Sequence, residues 1–250
     1  MRAAIASKLL RGIVSGALLL SLLTTGCARS APMVEHIDLY QDYTTMPNGQ
    51  HPPTFDSGQT ATLTYTPNDT AMPTVSGGRS IIAFSGVGKG AGYASGQLSA
   101  TAAYIAADWN FSASGTTDGG QLVLCLFANP LPSGLLGITA VPDSPAHVTF
   151  LADHFEYGVW KNDTLTVIAN VAYGRPFTTD TQHVAVYVRK DLGKAWVLAP
   201  TGTIYGPYSH PAISEINAPY VAAEQFYGSA DTDRRVEIQR WRATSRLTDI

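Results

Sequence analysis

From Thr60 onward this chain is written in short runs that alternate apolar and polar residues, each closed by a turn signal. Ala61-Thr62-Leu63-Thr64-Tyr65-Thr66 alternates, and Thr164 to Val171 puts Leu165, Val167, Ala169 and Val171 on one face. A period of two is the pleat of a strand, so both runs predict half-buried strands. Gln182 to Arg189 sends Val184, Val186 and Val188 to one side in the same way. Ile81 to Phe84 and Leu122 to Phe127 are apolar on both faces, as central strands are, and Trp196-Val197-Leu198 and Arg235 to Gln239 complete the set. Ser76-Gly77-Gly78, Asp118-Gly119-Gly120, Asp191-Leu192-Gly193 and Thr201-Gly202 separate them. Only the Ala-rich stretch Ser99 to Asp108 and the stretch Pro219 to Phe226 could wind as helix. Charged residues are 14% of the chain, against about 25% in a typical soluble domain, while Thr, Gly, Tyr and Val are plentiful. The expectation is an all-β protein, an antiparallel β-sandwich over residues 59–250.

The first 26 residues are a different text. Arg2, Lys8 and Arg11 form a positive segment, and Ile13 to Leu23 form an apolar core too short and too abruptly ended for a membrane span. This reads as an export signal. It closes on Thr24-Thr25-Gly26-Cys27, which resembles the lipobox of bacterial lipoproteins. The resemblance implies a diacylglycerol on Cys27, cleavage just before it, and a protein held outside the cytoplasm at the cell membrane. An ordinary secretory signal that happens to contain a cysteine is the alternative, and it also places the chain outside the cytoplasm. Three of the 16 Lys and Arg and none of the 19 Asp and Glu lie in residues 1–26, so the remainder carries 13 against 19, a net of −6. That balance argues against nucleic acid as a partner and against a polybasic hold on lipid head groups, which leaves the acyl chains as the membrane attachment.

Residues 27–58 carry Ala31-Pro32, Met46-Pro47-Asn48-Gly49 and His51-Pro52-Pro53, and are expected to be a spacer between the anchor and the folded body. With Cys27 taken by lipid, Cys125 is left without a partner for an intrachain disulfide. No charge neighbours Cys125 in sequence to lower its pKa, so a core position is expected for it rather than a nucleophile.

In the second half, the order Ser144 to Phe150, Tyr157 to Trp160, Thr166 to Ala169, Thr181 to Val188, Val197 to Gly202, Ala223 to Tyr227 and a closing strand through Trp241 resembles the concanavalin A-like, laminin-G-like sandwich, a jelly roll of the lectin and glucanase type. The resemblance implies that the last strand pairs with one from near the start of the domain. It does not bring an active site. The glucanases of this fold carry Glu-x-Asp-x-Glu on one strand, and no such spacing occurs at Glu35, Glu156, Glu215, Glu224 or Glu237. The lyases carry Gln-x-His, whereas Gln182 and His183 are adjacent. The lectins place sugar through a calcium–manganese pair, and the densest acidic pairs here, Asp153 with Glu156 and Asp231 with Asp233, are too small for a calcium cage. No metal and no cofactor is expected. Gly86-Val87-Gly88-Lys89-Gly90 lacks the spacing of a phosphate loop and reads as a turn.

What remains is aromatic. Four Trp, 12 Tyr and 8 Phe are 10% of the chain, several of them beside polar turn residues. A sugar offers apolar C–H faces and hydroxyl edges, so its site needs flat rings next to carboxylates, amides or guanidinium groups. Asp153, His154, Glu156, Tyr157 and Trp160, with Tyr173 and Arg175 across the strand at 164–171, supply that set. Two functions follow: a lipid-anchored binding or scaffold module of the cell envelope, with a glycan or an envelope protein as ligand and no catalysis, or a glycoside hydrolase or polysaccharide lyase with non-standard catalytic residues.

Overall fold

Alternation along the sequence becomes alternation across two sheets. The computed structural model describes residues 39–50, 53–58, 62–65, 74–81, 90–98, 104–114, 120–127, 134–135, 143–151, 153–162, 164–174, 178, 180–215, 220–227 and 235–244. At 62–65, 81, 90–95, 104–114, 120–125, 127, 134–135, 220–227 and 235–236 only the backbone is described. The signal segment, Cys27 and Arg175 lie outside the described residues, and the side chain of Cys125 does too.

In chain order the strands of the first half are β1 (Leu39–Asp42), β2 (Gly49–Gln50), β3 (Thr62–Tyr65), β4 (Thr74–Ser76), β5 (Arg79–Ile81), β6 (Gly90–Gln97), β7 (Tyr104–Ser114), β8 (Gly120–Phe127) and β9 (Gly134–Leu135). The second half adds β10 (Ser144–Phe150), β11 (His154–Lys161), β12 (Thr164–Ala172), β13 (Gln182–Arg189), β14 (Lys194–Leu198), β15 (Ile204–Ser209), a one-turn helix α1 (Pro211–Ser214), β16 (Tyr220–Tyr227) and β17 (Arg235–Thr244). One sheet runs β15-β14-β13-β7-β17-β5-β4-β2, with β1 also on β17. The other runs β12-β11-β10-β8-β16-β6-β3-β9. Among the described residues only the short β3–β9 contact is parallel. The closing strand β17 pairs with β1, Leu39 opposite Ala243 and Asp42 opposite Arg240.

The two stretches expected to allow helix are strand wherever they are described. Tyr104 to Asp108 falls in β7, paired on one side with β13 and on the other with β17, and Tyr220 to Phe226 falls in β16, between β6 and β8. Helix propensity is a weak prior, and strand partners on both flanks, present from Ala106 onward in β7 and throughout Tyr220 to Phe226 in β16, outweigh it. The spacer also ends earlier than expected. Leu39 and Tyr43 are buried, Phe55 sits edge-on to Trp241 with ring centroids 4.8 Å apart, and all three belong to the core. The fold therefore takes in part of the Pro-rich stretch, because turn residues do not prevent the apolar side chains between them from packing.

The core lies between the sheets. Val184, Val186, Val188, Val197 and Trp241 come from one, and Val148, Phe150, Phe155 and Tyr157 from the other. Tyr205 and Tyr208 of β15 close the edge, with the rings of Phe155 and Tyr205 5.4 Å apart and those of Tyr157 and Tyr208 stacked at 5.0 Å and 19°. In β12 the expected single apolar face breaks at Ile168. Tyr157 pairs with Ala169 but Gly158 with Val167, so Ile168 is an extra residue, a bulge. A one-residue insertion swaps faces. Ala169 and Val171 pack on the core, whereas Val167 is 46% exposed.

Candidate functional site

The hairpin β11–β12 forms one edge of its sheet, and β11 is straight while both its neighbours bulge. Its alternation is therefore intact. Phe155, Tyr157 and Val159 are buried toward the core, which leaves His154, Glu156, Gly158 and Trp160 on the outer face. The carboxylate of Glu156 accepts a hydrogen bond from Asn170 Nδ2 at 3.1 Å, and the two residues are direct partners in the ladder. Trp160 is half-buried, and its ring lies 6.0 Å from that of His147 at a tilt of 31°. Its indole N–H is buried with no hydrogen-bond partner among the described residues.

His147, one strand further in, is buried, and burial alone pushes its pKa down to about 4. It is a neutral imidazole under the indole at ordinary pH. Four residues separate Trp160 from Glu156, about 13 Å along a strand. Between them Gly158 has no side chain to raise the floor. A Cβ there would lie 2.7 Å from the carbonyl oxygen of Thr166 and 2.8 Å from Leu165 Cδ1, so the bulged partner strand comes as close as it does only because position 158 is glycine. The face thus presents a half-buried flat ring at one end and a carboxylate–amide pair at the other.

The remaining expected residues divide three ways. Asp153, His154 and Tyr173 do meet, at the end of the hairpin away from Trp160. Asp153 Oδ1 lies 2.7 Å from His154 Nδ1, and that hydrogen bond holds the carboxyl below its ordinary pKa. The Tyr173 and Gly174 amides donate to the Asp153 carbonyl at 2.8 and 3.1 Å, and the Tyr173 hydroxyl donates to the carbonyl of Leu151. Burial, then the charge of Asp153, pushes the Tyr173 pKa up, so its hydroxyl stays a donor that ties the rim. Tyr157 leaves the site, because its side chain is fully buried against Tyr208 between the sheets. Arg175 lies outside the described residues.

Two residues of this face were not expected from the sequence, His147 and Asn170. Asn170 was legible as the polar member of an alternating run, but its pairing with Glu156 depends on a bulge that the sequence does not mark. Among the described residues no three His, Cys, Asp or Glu side chains come together as a metal site would require.

With this geometry in place, comparison with solved structures defines the class of fold. The carbohydrate recognition domain of Emp47p aligns with a TM-score of 0.57 at 10% identity, over 84% of this chain and 96% of that one. The lectin UEA-II complexed with galactose aligns at 0.53 and 15% identity, over 85% of this chain and 100% of that one. The exoplasmic/lumenal domain of VIP36, in its metal-free form, aligns at 0.55 and 11% identity, over 86% and 95%. The fold is the legume-lectin type of β-sandwich, as the strand order in the sequence implied. No family model and no curated protein matches the chain.

Proposed function

We propose that this protein is a lipid-anchored, extracytoplasmic binding module that takes a glycan on the outer face of the β11–β12 hairpin and does not turn it over. The observation that carries the reading is the juxtaposition on one face of a half-buried indole, Trp160, and a carboxylate–amide pair, Glu156 with Asn170 at 3.1 Å. A sugar stacked on the ring and hydrogen-bonded to the pair would use both of its surfaces. The similarity to carbohydrate recognition domains supports the ligand class, and the export signal ending at Cys27 supports the anchor.

The site is tested by titrating glycan oligomers of increasing length. Affinity is expected to be weak for one unit and to grow as the chain spans the distance from Trp160 to Glu156. Trp160→Ala is expected to weaken binding of the longer oligomers by about 1–3 kcal/mol, the range for flat ligands stacked on aromatic rings, and Asn170→Ala by about 0.5–1.5 kcal/mol, the range for one hydrogen bond. Unchanged affinity in both variants defeats the placement. If Glu156→Gln or Asp153→Asn abolishes hydrolysis of an envelope polymer, the enzyme reading replaces this one. For the anchor, Cys27→Ser is expected to move the protein out of the detergent phase. Continued partitioning, or mass spectrometry that finds no acyl group on the wild type, rejects the lipoprotein reading.

A further inference from the structure

The sheet that ends in β13, β14 and β15 carries an apolar patch on its outer face. Val184, Val186 and Val188 of β13 and Ala195 and Val197 of β14 are buried toward the core, so by the two-residue period Tyr187, Trp196 and Leu198 point the other way. All three are half-buried. Register makes them one patch. Tyr187 is the direct ladder partner of Trp196, and Leu198 of Ile204, which is 53% exposed. The indole also lies against the backbone of β15, since a Cβ on Gly206 would come 3.1 Å from Trp196 Cδ1. Exposed apolar side chains scattered singly need no explanation, but two rings and two aliphatic side chains side by side do.

The ladder also places this patch relative to the start of the fold. Leu39 faces Ala243, Ala243 faces Ala107, Ala107 faces Val186 and Val186 faces Val197, one continuous row from β1 to β14. Four strand spacings make that row about 19 Å long. The next row, on the N-terminal side of Leu39, is Thr244, Ala106, Tyr187 and Trp196. The chain therefore enters the sheet level with the two rings. Twelve peptide steps separate Leu39 from Cys27. Fully extended they span no more than about 40 Å, and as a flexible chain about 20 Å.

We propose that this face lies on the bilayer to which Cys27 is anchored, with Tyr187 and Trp196 at the level of the lipid head groups. The inference rests on the lipoprotein reading of the N-terminus. Trp and Tyr join an apolar body to a polar tip, and the head-group region is where such rings settle. The charge beside them suits it. Arg189 and Lys194 are ladder partners two residues along from Tyr187 and Trp196, and Asp191 neutralises only one of them. Further in, Arg242 stands opposite Asp108, so the patch is not flanked by net negative charge although the chain beyond the export signal carries −6. Two copies packed face to face would make no use of the tether, and its reach is what decides for the bilayer. A tether this short holds the face near the surface at an effective concentration of millimolar order, so a contact too weak to retain the free protein suffices once the anchor is in place. With this face down, the outer face of β11–β12, on the opposite sheet, points away from the membrane.

The test uses the full acylated protein in vesicles of phosphatidylethanolamine and phosphatidylglycerol, with and without lipid brominated high in its acyl chains, which quenches indole fluorescence only at close range. The wild type is expected to be quenched, and Trp196→Phe to lose most of that quenching. Trp160→Phe, on the opposite face, is expected to keep it. Ile204→Glu puts a charge in the patch at an exposed position, and is expected to reduce the quenching while the acyl chains keep the protein on the vesicle. The proposal is overturned if the anchored wild type is not quenched or if both patch variants are quenched as strongly as it is. It is also overturned if analytical ultracentrifugation in detergent finds a dimer that Ile204→Glu dissociates, which would make the face an interface between copies. Mass spectrometry of Cys27 separates this contact from the anchor. An acylated protein without quenching rejects the contact alone, and a protein without an acyl group rejects both.

Discussion

Replacing Tyr157 with Phe is expected to cost nothing, and to stabilise the protein by up to about 1 kcal/mol. The residue is fully buried, and its hydroxyl is buried with no hydrogen-bond partner among the described residues. Burial pushes its pKa up, in keeping with an O–H that has lost water and gained nothing in exchange. An unpaired hydroxyl in such a place carries a desolvation penalty of about 1–3 kcal/mol, and its removal leaves only a small void to set against that. Tyr157→Ala is a different perturbation. It deletes the ring that stacks on Tyr208 at 5.0 Å, a truncation of the kind that costs about 3–5 kcal/mol. For a chain of this size that corresponds to a fall in Tm of about 6–20 °C. Urea and thermal unfolding of the two variants beside the wild type measure both effects, and a glycan titration of Tyr157→Phe completes the assay. If Tyr157→Phe loses more than about 1 kcal/mol, the hydroxyl has a structural partner and the argument is wrong. If it keeps its stability but loses glycan binding, the hydroxyl touches ligand and Tyr157 returns to the site.

His147 makes stability depend on pH. Folded, its pKa is about 4 against an ordinary 6.5, so between those values the unfolded chain binds the extra proton and the folded one does not. Its contribution is therefore complete above about pH 6.5 and is lost as pH falls toward 4, by about 3 kcal/mol at most. Denaturant unfolding of His147→Gln against the wild type across that window checks it, and parallel pH profiles would refute it. Gly158→Ala is expected to destabilise by about 1–3 kcal/mol, since its Cβ would stand 2.7 Å from the Thr166 carbonyl oxygen and the bulge must move to admit it. A wild-type melting curve for Gly158→Ala would show that the hairpin is looser than this contact implies.

The architecture was legible because it rests on period and punctuation. The alternating runs at 182–189 and 235–239 are strands β13 and β17, and the turn at Ser76-Gly77-Gly78 joins β4 to β5. Two kinds of information were missing. Tyr104 to Asp108 and Tyr220 to Phe226 are strand because of what flanks them, and flanking partners such as Gln182 to Arg189 lie far away in the chain. The Pro-rich stretch looked like a spacer because composition describes the whole segment, whereas packing uses single residues, here Leu39, Tyr43 and Phe55.

The site divides along the same line. On β11 parity alone assigns the faces: His154, Glu156 and Trp160 share the outer one, and Tyr157, odd among even positions, had to point inward with Phe155 and Val159. The chemistry of Tyr157 groups it with the others, but its parity is the stronger constraint, since a ring on the wrong face would have to pass through the sheet. Parity also fails where it is interrupted. The bulge at Ile168 is what puts Asn170 beside Glu156, and β-branched or aliphatic residues on either side give it no mark. The bulge at Gln239 goes unmarked for a further reason: β1, β5 and β17, which meet around it, come from both ends of the fold and share neither a run nor a spacing, and a change of pairing partner leaves no periodic trace in sequence.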